Sequence, residues 1–123
     1  MDICLATLSK ATEQQIFDTV APKLLRQGSR SFDYLREACA YRDNSGRKCA
    51  AGFLIADDEY QKEFDAIGDW KNLVYFKKVP MENEHFIAQL QTIHDKEAVG
   101  SWKKALLDLA KKRNLNADSI ADA

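Results

Sequence analysis

The stretch "CAYRDNSGRKCAAG", from Cys39 to Gly52, decides the predicted fold. Its middle, residues 43–46, reads Asp-Asn-Ser-Gly, and Asn and Gly both tolerate the positive φ that tight turns require. The small residues at 50–52 allow other backbone segments to approach closely. We therefore expect a short β-hairpin from about Cys39 to Ala50. Its cysteines and alanines should pack beneath helices, and its arginines and lysine should face outward.

Helical patterns lie on both sides of this hairpin. Thr12 and Gln15 form a capping-box pattern at the start of a helix that Gly28 is expected to end. Pro22 inside this run predicts a kink or, alternatively, two shorter helices. Asp57 is a good N-cap for a second helical segment, whereas residues 69–80 are ambiguous between strand and helix. Two later helices are predicted by apolar stripes at Phe86, Ile87, Leu90 and Ile93, and at Trp102, Ala105, Leu106, Leu109 and Ala110.

Length and composition predict one small domain. The chain has 123 residues, of which 46% are hydrophobic and 30% charged, as in ordinary globular proteins. The hairpin and the helical patterns together predict an α+β fold that is mainly helical. Within it we expect an N-terminal extension over residues 1–11, a globular domain over 12–115 and a frayed tail over 116–123.

The overall charge argues against two classes of function. A formal net charge of −1 is typical neither of a strongly basic nucleic-acid-binding protein nor of an acidic surface that imitates DNA. The first ten residues have no basic start and only a few apolar positions, which predicts neither a secretory signal nor a membrane span. Three cysteines, an odd number, fit reduced thiols in the cytoplasm.

Charge is nevertheless distributed unevenly along the chain. Residues 23–48 contain seven basic and three acidic side chains, whereas residues 49–69 contain six acidic side chains and a single lysine, Lys62. Such neighbouring segments commonly neutralise each other in a fold. The alternative interpretation is a pair of separate binding faces.

The cysteines and histidines do not predict a metal site. Structural zinc sites take four Cys or His ligands, usually as close pairs, but Cys39 and Cys49 are ten positions apart. His85 and His94 are nine positions apart on one predicted helix and so face opposite sides. Cys39 and Cys49 would face each other only if the hairpin loop had an odd length, in which case a disulfide is conceivable. Buried free thiols are the favoured interpretation, and we expect neither a metal nor another cofactor.

His94 and Asp95 form the strongest catalytic candidate. His94 lies on the apolar stripe of its helix, where a histidine is more often a core residue bonded to the backbone. The alternative is an enzyme in which His94 acts as a general base with Asp95, or in which Cys49 is a nucleophile. Adjacent helical residues point about 100° apart, so Asp95 is not expected to orient the His94 ring easily. Standard nucleotide-binding and hydrolase motifs are absent from the sequence, which argues against a common enzyme class.

The outward face of the hairpin is the predicted binding site. Arg42 and Lys48 could hold a phosphate or a carboxylate, because Arg presents a planar fork and Lys a mobile charge. Ion pairs from these cations to Asp57 or Asp58 are the alternative. Tyr41 and Arg42 point to opposite faces of a strand, so one of them should be buried. The predicted ligand-contacting or partner-contacting residues are Tyr41, Arg42, Arg47, Lys48, Asp57 and Asp58.

The same stretch resembles a family of short proteins from tailed phages, prophages and their hosts. The family pattern is C-x-Y-R, a turn with Gly, K-C-A-x-G-x-L-I and then D-x-x-Y. It is followed by L-Q-x-x-H-D, which is present here at residues 90–95. The resemblance spans residues 12 to about 115, and the family has no settled biochemical role. The matching positions are Cys39, Tyr41, Arg42, Gly46, Lys48, Cys49, Ala50, Gly52, Leu54, Ile55, Asp57 and Tyr60.

This resemblance implies a non-enzymatic phage accessory protein in the cytoplasm of a bacterial host. Its expected partner is a host protein or an anionic small molecule, and its role could be to counter a host defence system. Neither a membrane nor a nucleic acid is an expected partner. The alternatives are the small enzyme described above and an assembly component that forms homodimers through its C-terminal helices.

Overall fold

Helices provide most of the structure in the computed structural model, which describes residues 3–123. The expected fold class is confirmed: the chain is a small single domain of mainly helical α+β type with one two-stranded antiparallel sheet. Short 3₁₀ turns at Ala51–Leu54, Val99–Ser101 and Asp118–Ile120 connect or follow the main elements. These elements are α1 (Leu5–Leu8), α2 (Glu13–Gln27), β1 (Phe32–Asp33), β2 (Ala38–Cys39), α3 (Glu63–Ile67), α4 (Trp70–Tyr75), α5 (Glu84–Lys96) and α6 (Trp102–Lys112).

The predicted start and end of α2 are both confirmed. The Thr12 hydroxyl accepts a hydrogen bond from the Gln15 backbone N–H at 3.1 Å, and the Gln15 side chain accepts one from the Thr12 N–H at 2.9 Å. Gly28 ends the helix with a left-handed φ of 63°, which glycine adopts without a steric penalty. Pro22 lies inside one continuous helix and does not divide it into two.

The β-hairpin is present, but its paired strands lie earlier in the chain than expected. Phe32 pairs with Cys39 and Asp33 pairs with Ala38. In the predicted hairpin, from Cys39 to Ala50, the turn does form, and a single isolated bridge between Arg42 and Lys48 closes it. The segment is therefore a tight loop that follows the sheet.

Side chains from three helices explain why this loop does not extend into a ladder. The amide of Gln27 on α2 bonds both the N–H and the carbonyl of Lys48, at 2.9 and 2.8 Å. The Asp65 carboxylate on α3 accepts from the Tyr41 N–H, and Gln91 on α5 accepts from the Ala51 N–H. Backbone groups that would pair with a neighbouring strand are already satisfied by these side chains.

The helix predicted to begin at Asp57 begins later, at Glu63. Residues 57–59 form a turn instead, in which the N–H groups of Glu59 and Tyr60 donate to the Ala56 carbonyl, and Glu59 also caps another helix. Its carboxylate accepts hydrogen bonds from the N–H groups of Leu5 and Ala6, at 2.8 and 3.0 Å. It thereby satisfies free N–H groups in the first turn of α1. Burial opposes this charge, but the backbone donors around Glu59 hold the pKa of its carboxyl below the ordinary value.

Both ends of the described chain contribute to the core. Leu8 in the expected extension and Ile120 in the expected tail are fully buried. Helices α2, α5 and α6 pack around the same core, together with the 3₁₀ turn at Ala51–Leu54. The ambiguous stretch at 69–80 contains α4, whose N-cap Asp69 accepts from the Asn72 N–H. None of the helices in residues 3–123 has the length and apolar character needed to cross a bilayer.

Candidate functional site

Arg42 anchors the loop to the segment that follows it. Its guanidinium donates to the Ile55 carbonyl at 2.8 Å and forms an ion pair with Asp57 at 2.7 Å. The same group lies over the Tyr60 ring, 5.0 Å from its centre. These contacts fix the Arg42 side chain, so we expect its replacement to lower stability as well as any binding.

A groove of about 490 Å³ lies next to this anchor, between the β1–β2 connection and the loop at 43–47. Its walls combine positive charge with aromatic rings. The rings of Phe32 and Tyr34 pack edge to face on one side, with centroids 4.9 Å apart. Tyr60 lies on the lining with Arg42. The cations on the lining are Arg36, Arg42, Arg47 and Lys62, and the acids are Asp33, Asp43 and Asp65.

Asp43 is one acid that the fold uses internally. Its side chain is 2% exposed and accepts from the Arg47 guanidinium at 2.7 Å. The N–H groups of Ser45 and Arg47 donate to the same carboxylate and close the turn. Burial acts to raise the pKa of Asp43, but the bonds from Arg47 and the backbone outweigh it and hold the pKa below its ordinary value.

Asp65 is the second internal acid. It is 8% exposed and accepts from both the Tyr41 N–H and the Tyr60 hydroxyl. Burial, followed by the bond to this carboxylate, raises the pKa of Tyr60, so its hydroxyl remains protonated at neutral pH. Asp43 and Asp65 are thus bonded inside the protein. Three of the four cations form ion pairs, Arg36 with Asp33, Arg42 with Asp57 and Arg47 with Asp43, and Lys62 is the one that has no ion pair among residues 3–123.

Two of the predicted binding residues, Arg42 and Arg47, line this groove. Tyr41 is buried, and its hydroxyl donates to the Gly68 carbonyl at 2.7 Å. Lys48 lies outside the lining, with its ammonium 5.9 Å from the centre of the Phe53 ring. Asp57 pairs with Arg42, as the alternative interpretation expected, and Asp58 is exposed beyond the groove.

The sequence interpretation missed two cations of the groove, Arg36 and Lys62. Arg36 is contributed by the β1–β2 connection, which the predicted hairpin did not include. Lys62 is the only basic residue between positions 49 and 69. A single lysine in an acidic segment is the one feature of the sequence that could have identified it. Among residues 3–123 its exposed ammonium group makes no hydrogen bond or ion pair, so it is available to a ligand.

A second cluster joins His94, Asp95 and Cys39. His94 is fully buried, and its Nε2 accepts from the Ser31 N–H at 3.0 Å. Its Nδ1 lies 2.7 Å from Asp95 Oδ1, so the ring is neutral here with its proton on Nδ1. The ring also stacks on Trp102 at a centroid distance of 5.5 Å.

The expectation that Asp95 would not orient the His94 ring is wrong. The two side chains leave the helix in different directions, but Nδ1 is the ring nitrogen nearer to the backbone. The Asp95 carboxylate reaches it across the last turn of α5. The Gln91 amide, one turn earlier, donates to the same carboxylate oxygen at 3.0 Å.

Neither thiol near this cluster has the character of a nucleophile. Burial and the hydrogen-bonded Asp95 carboxylate raise the pKa of Cys39 to about 11. Cys49 is fully buried, which raises the pKa of its thiol as well. Both thiols are therefore protonated at neutral pH, whereas the thiolate is the reactive form.

The cluster is also poorly suited to a metal. Ligand atoms of Cys39, His94 and Asp95 lie within 4.8 Å of one another. A neutral imidazole has one nitrogen lone pair, and that of His94 already accepts the Ser31 N–H. Coordination through Nδ1 would move the proton to Nε2, where it would point at the Ser31 N–H. The arrangement therefore favours a structural hydrogen-bond network.

The raised pKa of Cys39 gives a testable pH profile. We expect its alkylation by iodoacetamide, followed by peptide mass spectrometry, to accelerate about tenfold per pH unit until near pH 11. Asp95→Asn should lower this apparent pKa only in part, because burial is the larger cause. The same cysteine in urea should reach its plateau near pH 8.5 and serves as the control. A plateau near pH 8.5 in the folded protein would contradict this assignment.

Comparison of the sequence with protein-family models, curated proteins and solved structures yields no match. The resemblance to short phage proteins therefore stays a prediction.

Proposed function

We propose that this chain is a non-enzymatic binding protein that holds an anionic small molecule in the groove beside Arg42. One observation carries the proposal: four cations line a groove whose buried acids, Asp43 and Asp65, are bonded within the protein. An anion at the opening would meet the Lys62 ammonium and the partly exposed guanidinium groups of Arg36 and Arg47, while Asp43 and Asp65 keep their bonds to donors within the protein.

The rings of the groove suggest that the ligand has a flat part as well as a charge. Tyr34 is 78% exposed, and Tyr60 is held in place by Arg42 and Asp65. Aromatic side chains stack on planar groups, and arginine forks bind phosphate and carboxylate. A phosphorylated aromatic compound, such as a nucleoside phosphate, would use both features.

The two alternative functions have less support. For an enzyme, the His94 ring has both nitrogens bonded, and Cys39 and Cys49 are held as thiols. For a self-associating component, the apolar stripes of α5 and α6 pack against the core of this same chain. The side chains that an enzyme or a self-associating protein would need are therefore already bonded or packed within this chain.

The resemblance to phage proteins supplies a biological setting for this proposal. In that setting, capture of an anionic metabolite or signal molecule in a bacterial host would counter a defence system that depends on it. A host protein is the second candidate partner. It is favoured by Tyr34 and Leu35, which are 78% and 94% exposed at the tip of the β1–β2 connection.

Titration calorimetry with inorganic phosphate, pyrophosphate and AMP tests the proposed groove. We expect at least one of these anions to bind, and we expect its affinity to fall as salt rises. Lys62→Ala and Arg36→Ala should each weaken binding by about tenfold, because each removes one charge-assisted contact. Adenosine should bind more weakly than AMP if the phosphate provides the recognition.

Lys111→Ala is the matched control, since Lys111 is exposed on α6 away from the groove. It should leave affinity unchanged. Arg42→Ala is not a clean test, because the loss of its contacts to Ile55 and Asp57 would also lower stability. Affinities that are equal in the wild type, Lys62→Ala and Arg36→Ala, at every salt concentration, would remove the proposed site.

A further inference from the structure

The outer edge of β2 borders a hollow of about 380 Å³ that the proposed function does not use. Its lining includes the whole segment 36–41, which contains β2, and continues onto the α3–α4 junction at Gly68 and Asp69 and onto the last turns of α5. The hollow adjoins the anion groove at Arg36, whereas Lys62 belongs to the groove alone. One side of this recess is therefore the edge of a strand.

The pairing of the two strands fixes which backbone groups of β2 face this edge. The Ala40 N–H donates to the Ser31 carbonyl at 3.3 Å, so residue 40 bonds toward β1. Successive residues alternate in an antiparallel ladder, so the N–H and carbonyl of Cys39 point away from β1. Phe32, which lies opposite Cys39, shows the same alternation, because its N–H points away from β2 and donates to Asp43.

The next residue on the same edge shows where these groups point. Two positions along, the Tyr41 N–H donates to the carboxylate of Asp65, and Asp65 lines the hollow. Within residues 3–123, neither the N–H nor the carbonyl of Cys39 takes part in a hydrogen bond. An unpaired donor and acceptor on a strand edge are the groups to which an added strand binds.

The charges of the hollow favour a basic occupant. Arg36 is already paired with an aspartate outside the hollow, and Glu37 is exposed and has no ion pair within residues 3–123. The other three acids accept hydrogen bonds from uncharged donors, so no cation compensates their charge. Negative charge is thus in excess, which attracts a basic segment and repels an acidic one. The acids of the lining are Glu37, Asp65, Asp69 and Asp95, and its cations are Arg36 and Lys96.

We propose that the outer edge of β2 binds an extended, basic segment of a partner protein, which adds a third strand beside Cys39. One residue of that segment accepts from the Cys39 N–H and donates to the Cys39 carbonyl, and its neighbouring lysine or arginine side chains meet the acids of the hollow. The contact is short, because β2 has two residues and the Tyr41 N–H is already bonded. Backbone bonds are the same for any sequence, so the charges provide the selectivity.

Amide signals of ¹⁵N-labelled protein give a direct test. In the free protein, the Cys39 N–H should exchange with deuterium about tenfold faster than the Ala40 N–H, which is bonded to Ser31. The probe is a capped pentapeptide that alternates valine and lysine, added to millimolar concentration. We expect it to shift the Cys39 amide signal and to slow the exchange of this N–H by about tenfold, with a smaller change at Ala40.

Matched peptides and variants separate the backbone bonds from the charges. The same peptide with every backbone nitrogen methylated keeps its lysines but cannot donate, and a valine–glutamate peptide keeps its donors but reverses the charge. Each should bind about tenfold more weakly than the probe or not at all. Glu37→Lys should also weaken binding of the probe, whereas Glu82→Lys, at an exposed acid outside the lining, should not. Lys62→Ala should have no effect, so this inference and the proposed function can fail independently.

Four results would overturn the inference. A Cys39 N–H as protected as that of Ala40 in the free protein would show that the edge is not free. A Cys39 signal that does not move with the probe would exclude strand addition there, and equal binding of the probe and either matched peptide would exclude the proposed recognition. A Cys39 shift that depends on protein concentration without peptide would make a second copy of this chain the occupant. The peptide comparisons use the wild-type protein, so they decide the question even if Glu37→Lys fails to fold.

Discussion

His94→Ala is expected to lower the free energy of unfolding by about 3–5 kcal/mol. The change removes a fully buried ring and leaves a cavity beside Trp102, on which the ring stacks. It also removes the acceptor of the Ser31 N–H and a hydrogen bond to the Asp95 carboxylate. The start of β1 would lose one of its ties to α5, whereas the Arg30 guanidinium would still donate to the backbone carbonyl of residue 94. Urea denaturation followed by circular dichroism measures the loss.

His85→Ala is the matched control for this experiment. His85 lies on the same helix as His94 but is exposed, so its removal should change stability by no more than about 0.5 kcal/mol. If His94→Ala kept its full stability but lost the binding of a ligand, the structural role assigned to His94 would be wrong. The catalytic or ligand-contacting alternative would then deserve priority.

Gly52→Ala is expected to destabilise the protein by about 3 kcal/mol, with a fall in melting temperature of roughly 10 °C. A Cβ atom at this position would lie 2.4 Å from the Tyr41 carbonyl oxygen and 3.2 Å from the Lys48 Cβ. The carbonyl belongs to the backbone and cannot rotate away. The loop and the 3₁₀ turn that contains Gly52 would have to separate, which would open the core beneath them.

Gly100→Ala provides the comparison, because a Cβ atom there has no neighbour within 4 Å among the described residues. It should leave the melting temperature unchanged or raise it slightly, since alanine restricts the unfolded chain more than glycine does. Differential scanning calorimetry on both variants separates the steric effect from the general effect of adding a methyl group. Equal melting temperatures for the two variants would refute the close approach at Gly52.

The helices that could be predicted from the sequence carry their own local signals. The capping box of Thr12 and Gln15 acts across three residues, and Gly28 ends α2 through its own backbone conformation. The stripes of α5 and α6 repeat at the helical period. Such features depend on neighbours within a turn or two, so the sequence alone was sufficient for them.

The strand pairing could not be predicted in the same way. The turn residues at 43–46 were interpreted correctly, but the bonds that hold the loop come from Gln27, Asp65 and Gln91. A glutamine or an aspartate gives no local sign that it will bind a distant backbone group. Glu59 shows the same effect, since nothing near it in the sequence indicates that its carboxylate will accept from the N–H groups of Leu5 and Ala6.

The candidate site was predictable only in part for a similar reason. Arg42 and Arg47 were identified because they flank the turn. Arg36 and Lys62 reach the groove from segments that the sequence did not place beside it.

The way in which the loop is held also bears on the order of folding. A hairpin with a ladder of its own can form early, because its contacts are local. The turn at 43–47 closes through local bonds to Asp43, but the loop around it has only a single bridge. Its residues Lys48, Tyr41 and Ala51 are held by side chains on α2, α3 and α5. We therefore expect these helices to assemble first and the loop to become ordered late. The stretch from Cys39 to Gly52 would then become ordered after the folding nucleus has formed, and it would not be part of that nucleus.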